Sequence, residues 1–93
     1  MIVGVLTIEL VLYASSSLKE KRFVVKSIKD KLKNKFNIAV AEIDYLDKWQ
    51  RAKIGIVTIG NDYSHVEQSI QKVFDYLDDW NEFEIVNHNF DYC

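Results

Sequence analysis

The order of apolar and polar residues divides the chain into six segments. From Ile2 to Tyr13, apolar residues fill both alternating sets. Ile2, Leu6, Ile8, Leu10 and Leu12 share one side, and Val3, Val5, Thr7, Glu9, Val11 and Tyr13 the other. That pattern predicts a central strand with something packed on each face. From Ser17 to Phe36 the period becomes helical. Val24, Val25, Ile28, Leu32 and Phe36 fall in one arc of roughly 120°, with Ser17 and Glu20 spaced as a capping box and Asn37 as the expected left-handed exit. Ile38–Asp44 predicts a second strand, with Ala39, Ala41 and Ile43 expected beneath a helix and Ile38, Val40 and Glu42 on the opposite face. Tyr45–Arg51 reads as a polar connector. Ala52–Gly60 is β-branched and predicts a third strand. A second helix is expected from about Ser64 to Trp80, with a Ser64/Glu67 capping box and a stripe of Val66, Ile70, Val73, Phe74, Leu77 and Trp80. Phe83–Tyr92 is more polar and predicts an edge strand.

Strand, helix, strand, strand, helix, strand, joined by right-handed crossovers, gives an α+β ferredoxin-like βαββαβ domain over residues 1–93. Both helices then lie on one face of a four-stranded antiparallel sheet, with the first and third strands central. The fold hosts many activities and fixes none of them. The uncovered face is expected to present Val3, Val5, Val11, Tyr13, Ile38, Val40, Ile54 and Ile56. Monomers rarely leave a large apolar patch bare, so a homodimer through the open sheet face is expected, with covering loops or chain ends as the alternative.

Charge changes the picture of the first helix. Residues 1–36 carry eight Lys or Arg against three Asp or Glu, and residues 37–93 carry four against eleven. The formal charge of −2 therefore hides a dipole along the chain. Lys19, Arg22, Lys26, Lys29 and Lys33 recur at spacings of three and four on one flank of the first helix, where like charges repel. Such a row suits phosphate contacts in RNA, with Lys21 and Phe23 beside it. It also suits a merely solvated face, or pairing with acids of the second helix across their seam, each exposed pair worth about 0–1 kcal/mol. Phe23 lies off the apolar stripe and suits stacking on a base, or cover by a loop or second subunit.

The search for chemistry returns little. The only cysteine is Cys93. No metal-ligand spacing, glycine-rich phosphate loop or nucleophile elbow occurs, so no catalytic residue, metal or cofactor is expected, and the reading is of a non-enzyme. Glu42, Trp49 and Arg51 form a second candidate, a small-anion or nucleotide pocket at one end of the sheet, or else a structural ion pair with Trp49 as a lid. The apolar start lacks a basic leader and is too short for a membrane helix, so no membrane partner is expected and the location reads as cytoplasmic.

Met1 with the long first strand, Ser17-Leu18-Lys19-Glu20-Lys21-Arg22, Ala41-Glu42-Ile43-Asp44, Trp49-Gln50-Arg51-Ala52, Gly55 and Asn61-Asp62 together resemble the bacterial YlxP-like family, the domain of unknown function 503. The resemblance covers nearly the whole chain. It implies a ferredoxin-like fold and no assigned activity. It also implies a link to ribosome maturation or translation, since family genes often neighbour those of ribosome-binding factor A and translation initiation factor two. Its characteristic positions here are Ser17, Lys19, Lys21, Arg22, Glu42, Trp49 and Arg51.

Overall fold

A computed structural model describes every residue from Met1 to Cys93. Its elements are β1 (Ile2–Val11), α1 (Leu18–Lys35), β2 (Ala39–Asp44), β3 (Arg51–Gly60), α2 (Tyr63–Asp78) and β4 (Glu84–Tyr92). The strands form one antiparallel sheet in the order β2-β3-β1-β4. This is the ferredoxin-like α+β arrangement, with the two most apolar strands in the middle.

Register decides the faces. Leu6 lies opposite Ile56, Ile8 opposite Ile54 and Leu10 opposite Ala52, and all six are fully buried. They form the floor on which Val25, Ile28 and Leu32 of α1 and Ile70, Val73 and Leu77 of α2 pack. Ile54 and Ile56 therefore belong to the core, which corrects their expected place on the open face. Two glycines let α2 come down onto the sheet. A Cβ on Gly4 would lie 2.7 Å from Val66 Cγ1, and one on Gly60 2.8 Å from Val66 Cγ2, well inside van der Waals contact.

β2 is turned over relative to its expected orientation. Val40 and Glu42 lie opposite Ile56 and Ile54 and share their inward face, whereas Ala39 and Ala41 lie opposite Val57 and Gly55 and look outward. Inward Glu42 meets an ammonium under α1, as described below, and that contact is unavailable in the other orientation. A register shift at Ile43 interrupts the pairing.

The boundaries moved for local reasons. β1 ends at Val11, and the Leu12 N–H, donating to the Gln50 carbonyl at 2.9 Å, carries the pairing with β3 one residue further. α2 begins at Tyr63, because the Asp62 carboxylate accepts the Ser64 N–H at 3.1 Å; Asp62, not Ser64, is its cap. α1 leaves through Phe36 in extended backbone, and the only non-glycine residue with positive φ is Tyr45, so Asn37 does not take the left-handed exit.

Candidate functional site

The Ser17 hydroxyl accepts the Glu20 N–H at 3.1 Å, and the Glu20 carboxylate reaches back to the Ser16 N–H at 2.7 Å. The first contact satisfies an orphan donor of the first turn of α1, and the second ties down the residue before the cap. The bond from Ser16 holds the Glu20 carboxyl below its usual range. From this start the helix buries Lys21, Val25, Ile28 and Leu32 against the sheet. At about 100° per residue, Lys19, Arg22, Lys26, Lys29 and Lys33 fall roughly 80–160° from Lys21, on one flank. Lys31 and Lys35 fall on the other.

Those two lysines mark the side that meets α2. Lys31 Nζ stands 4.7 Å from the centre of the Trp80 ring, and Lys35 Nζ 5.1 Å from that of Tyr76. The seam is therefore made of cations on aromatic faces. No ion pair joins α1 to α2, so the alternative of neutralisation across the seam does not hold. The basic row lies on the flank turned away from α2. Within it only Lys26 has a carboxylate in reach, Asp30 at 3.0 Å, and that pair is exposed. Lys19, Arg22, Lys29 and Lys33 have no acidic partner within 4.0 Å. Phe23 is 77% exposed on the outer surface of the same helix.

Lys21 is the exception among the candidate cations. Its side chain is wholly buried. The ammonium donates to the Tyr45 carbonyl at 2.6 Å and lies 2.6 Å from Glu42 Oε2. That oxygen is shut off from solvent and meets no other donor. Lys21 cannot reach an external phosphate, and it leaves the candidate interface.

Glu42, Trp49 and Arg51 are not brought into one pocket. Glu42 points inward under α1, while Arg51, opposite Val11, lies on the open face. Arg51 pairs with Glu9 at 2.6 Å and its guanidinium stands 4.9 Å from the Tyr45 ring centre. Trp49 is half exposed in the connecting loop. The residue joining Arg51 to the Lys21–Glu42 pair is Tyr45, which the sequence reading passed over. Its carbonyl takes the Lys21 ammonium and the Lys48 N–H, its hydroxyl donates to Glu9 at 3.3 Å, and its ring takes Arg51. Its φ of 61° lies in the left-handed region, costly for an aromatic residue, and these four contacts hold it there. Glu9, a lone carboxylate in an apolar strand, was the signal for this cluster. Of the positions that the family resemblance marks, Lys21 and Glu42 thus tie α1 to β2, and Arg51 ties β3 to Glu9 of β1.

No group of three or more His, Cys, Asp or Glu side chains is placed to hold a metal ion. No helix is long and apolar enough to cross a membrane.

A sequence model of the family described as "Protein of unknown function (DUF503)" matches residues 3–90. The chain is also similar to the uncharacterised protein YlxP of Bacillus subtilis (strain 168). The two are 38% identical over 82 residues, which span 88% of this chain and 89% of that protein.

Proposed function

This chain belongs to the DUF503 family, and from that premise we propose that it is a non-catalytic accessory protein that binds structured RNA through the free flank of α1. The observation that carries this reading is that four aligned cations, Lys19, Arg22, Lys29 and Lys33, lack intramolecular acids on the flank facing away from α2. A row of one sign repels itself and is relieved by a polyanion whose phosphates release counterions. Rigid presentation favours a folded RNA over a flexible acidic segment, since the row sits on a helix anchored by four buried side chains. The ribosomal context implied by the resemblance makes a ribosomal RNA segment, or a ribosome-assembly or translation complex containing it, the partner to try first. Phe23 beside the row would add a stacking surface.

The test is fluorescence anisotropy with a labelled ribosomal RNA hairpin across a salt series. Four phosphate contacts give a slope of log K against log salt of about −3 to −4. Arg22→Glu/Lys29→Glu/Lys33→Glu should abolish binding while leaving the melting temperature within a few degrees. RNA binding that is absent at low salt, or untouched by the triple charge reversal, refutes the reading.

The reading includes a homodimer through the open sheet face. That face carries Val3, Val5, Val57, Ile59, Ala39, Ala41 and Ile43 at one end, with Ile59 62% exposed. At the other end Glu9 lies opposite Lys53. A two-fold axis parallel to the strands, between β1 and β3, would set Lys53 of each copy over Glu9 of its mate, Val57 over Val5 and Ile59 over Val3. The face is thus complementary to itself in both charge and apolarity, as a two-fold interface requires.

A further inference from the structure

Where α1 ends and α2 begins, the surface folds into a cleft of about 390 Å³. α1 contributes Lys35 and leads into Phe36, Asn37 and Ile38. α2 contributes His65, Ser69 and Lys72 at spacings of four and three, so they share one face of that helix. The end of β3 closes the third side with Thr58, whose hydroxyl donates to the Asn37 carbonyl at 3.1 Å and ties two walls together. The volume falls within the lower part of the range of small-molecule sites, about 300–1,000 Å³.

The lining is one-sided in charge. No aspartate or glutamate borders the cleft, in a protein with a net charge of −2. Neither Lys35 nor Lys72 has a carboxylate within 4.0 Å. Two lysines from different helices therefore line one concavity, together with His65. The opposite character is present as well, since Phe36 and Ile38 supply an apolar wall. A bare phosphate would use the cations and leave that wall wet. An uncharged ring would use the wall and leave the cations unpaired.

We propose that this cleft is a binding site for a small phosphomonoester carrying a flat ring, in the class of the nucleoside monophosphates. Lys35 and Lys72 hold the phosphate from two sides, and the ring lies against Phe36 and Ile38. Asn37, Thr58 and Ser69 offer hydrogen bonds to the sugar. The site is separate from the basic flank of α1, because Lys35 projects on the α2 side of that helix, and it stands or falls independently of RNA binding.

Isothermal titration of the full chain with AMP, adenosine and inorganic phosphate tests the assignment. AMP is expected to bind at least ten-fold more tightly than either fragment. Lys72→Glu, an exposed change that removes no internal contact, should weaken AMP at least five-fold, and Lys35→Glu/Lys72→Glu should abolish it. Arg22→Glu/Lys29→Glu should leave AMP binding unchanged. No heat with AMP up to millimolar concentration overturns the proposal. So does phosphate binding as tightly as AMP, or equal weakening by the α1-flank variant and by Lys72→Glu.

Discussion

The ammonium of Lys21 sits under α1 between the Tyr45 carbonyl and the Glu42 carboxylate, whose facing oxygen is closed to solvent. Removing one partner of such a pair strands the other charge, at about 3–5 kcal/mol. Lys21→Met and Glu42→Leu should each lower stability by that order in chemical denaturation, while Lys21→Met/Glu42→Leu recovers most of the loss. Single variants that cost less than about 1 kcal/mol would show the pair to be hydrated. Glu20 behaves differently because it is exposed. Its folded pKa lies below the ordinary value of 4.5, so the charged form is favoured by folding. Its contribution is present above that value and fades as pH falls below it. The stability advantage of the native chain over Glu20→Gln should therefore shrink steadily below about pH 4.5. Lys21 stands at the four-three-four spacing of Val25, Ile28 and Leu32, so periodicity alone marked it as inward, whereas the carboxylate that receives it and Tyr45's positive φ could not be read from spacing.

Among the elements, α1 and α2 were legible because each buries a stripe of period 3.6. Val66, Ile70, Val73 and Leu77 are all buried as that period requires. β2 was not legible, since six residues with two alanines carry too weak an alternation to say which set turns inward. Its orientation follows from pairing with β3 and from the partner waiting for Glu42. The seat of α2 is similarly a property of two elements together. Gly4→Ala places a methyl within 3.0 Å of both Val66 and Ile70, and β-branched neighbours yield little. It should cost about 1–3 kcal/mol, with Gly4→Ala/Val66→Ala recovering part of it in thermal unfolding. If Gly4→Ala melts with the native chain, the helix is not held at that height. At the other helix, Ser17→Ala should cost about 1 kcal/mol through the lost cap.

Taken entire, the molecule separates its charge in space as well as along the chain. The basic flank of α1 faces away from the acidic second helix, so the field on that side is not cancelled by its neighbour. The open sheet face, by contrast, is mixed, with an apolar end around Ile59 and Val57 and a polar end around Glu9, Arg51 and Lys53. Sedimentation velocity across micromolar concentrations should show a dimer that Val57→Glu/Ile59→Glu converts to monomer. A native chain that stays monomeric throughout refutes that interface. High salt should release RNA but leave the dimer largely intact, since one contact is screened and the other is mainly apolar.

What the chain's residues settled unaided was the succession of elements, the central places of β1 and β3, the buried stripes of both helices and the row of cations on α1. These follow from periodicity, which acts between near neighbours. What awaited the folded molecule was which face of β2 turns inward, that Lys21 is consumed internally, that Lys31 and Lys35 lie on rings instead of carboxylates, and that Lys35 and Lys72 share one cleft. Each depends on groups brought together from distant parts of the chain, and only the register of the sheet and the seating of the helices determine such meetings.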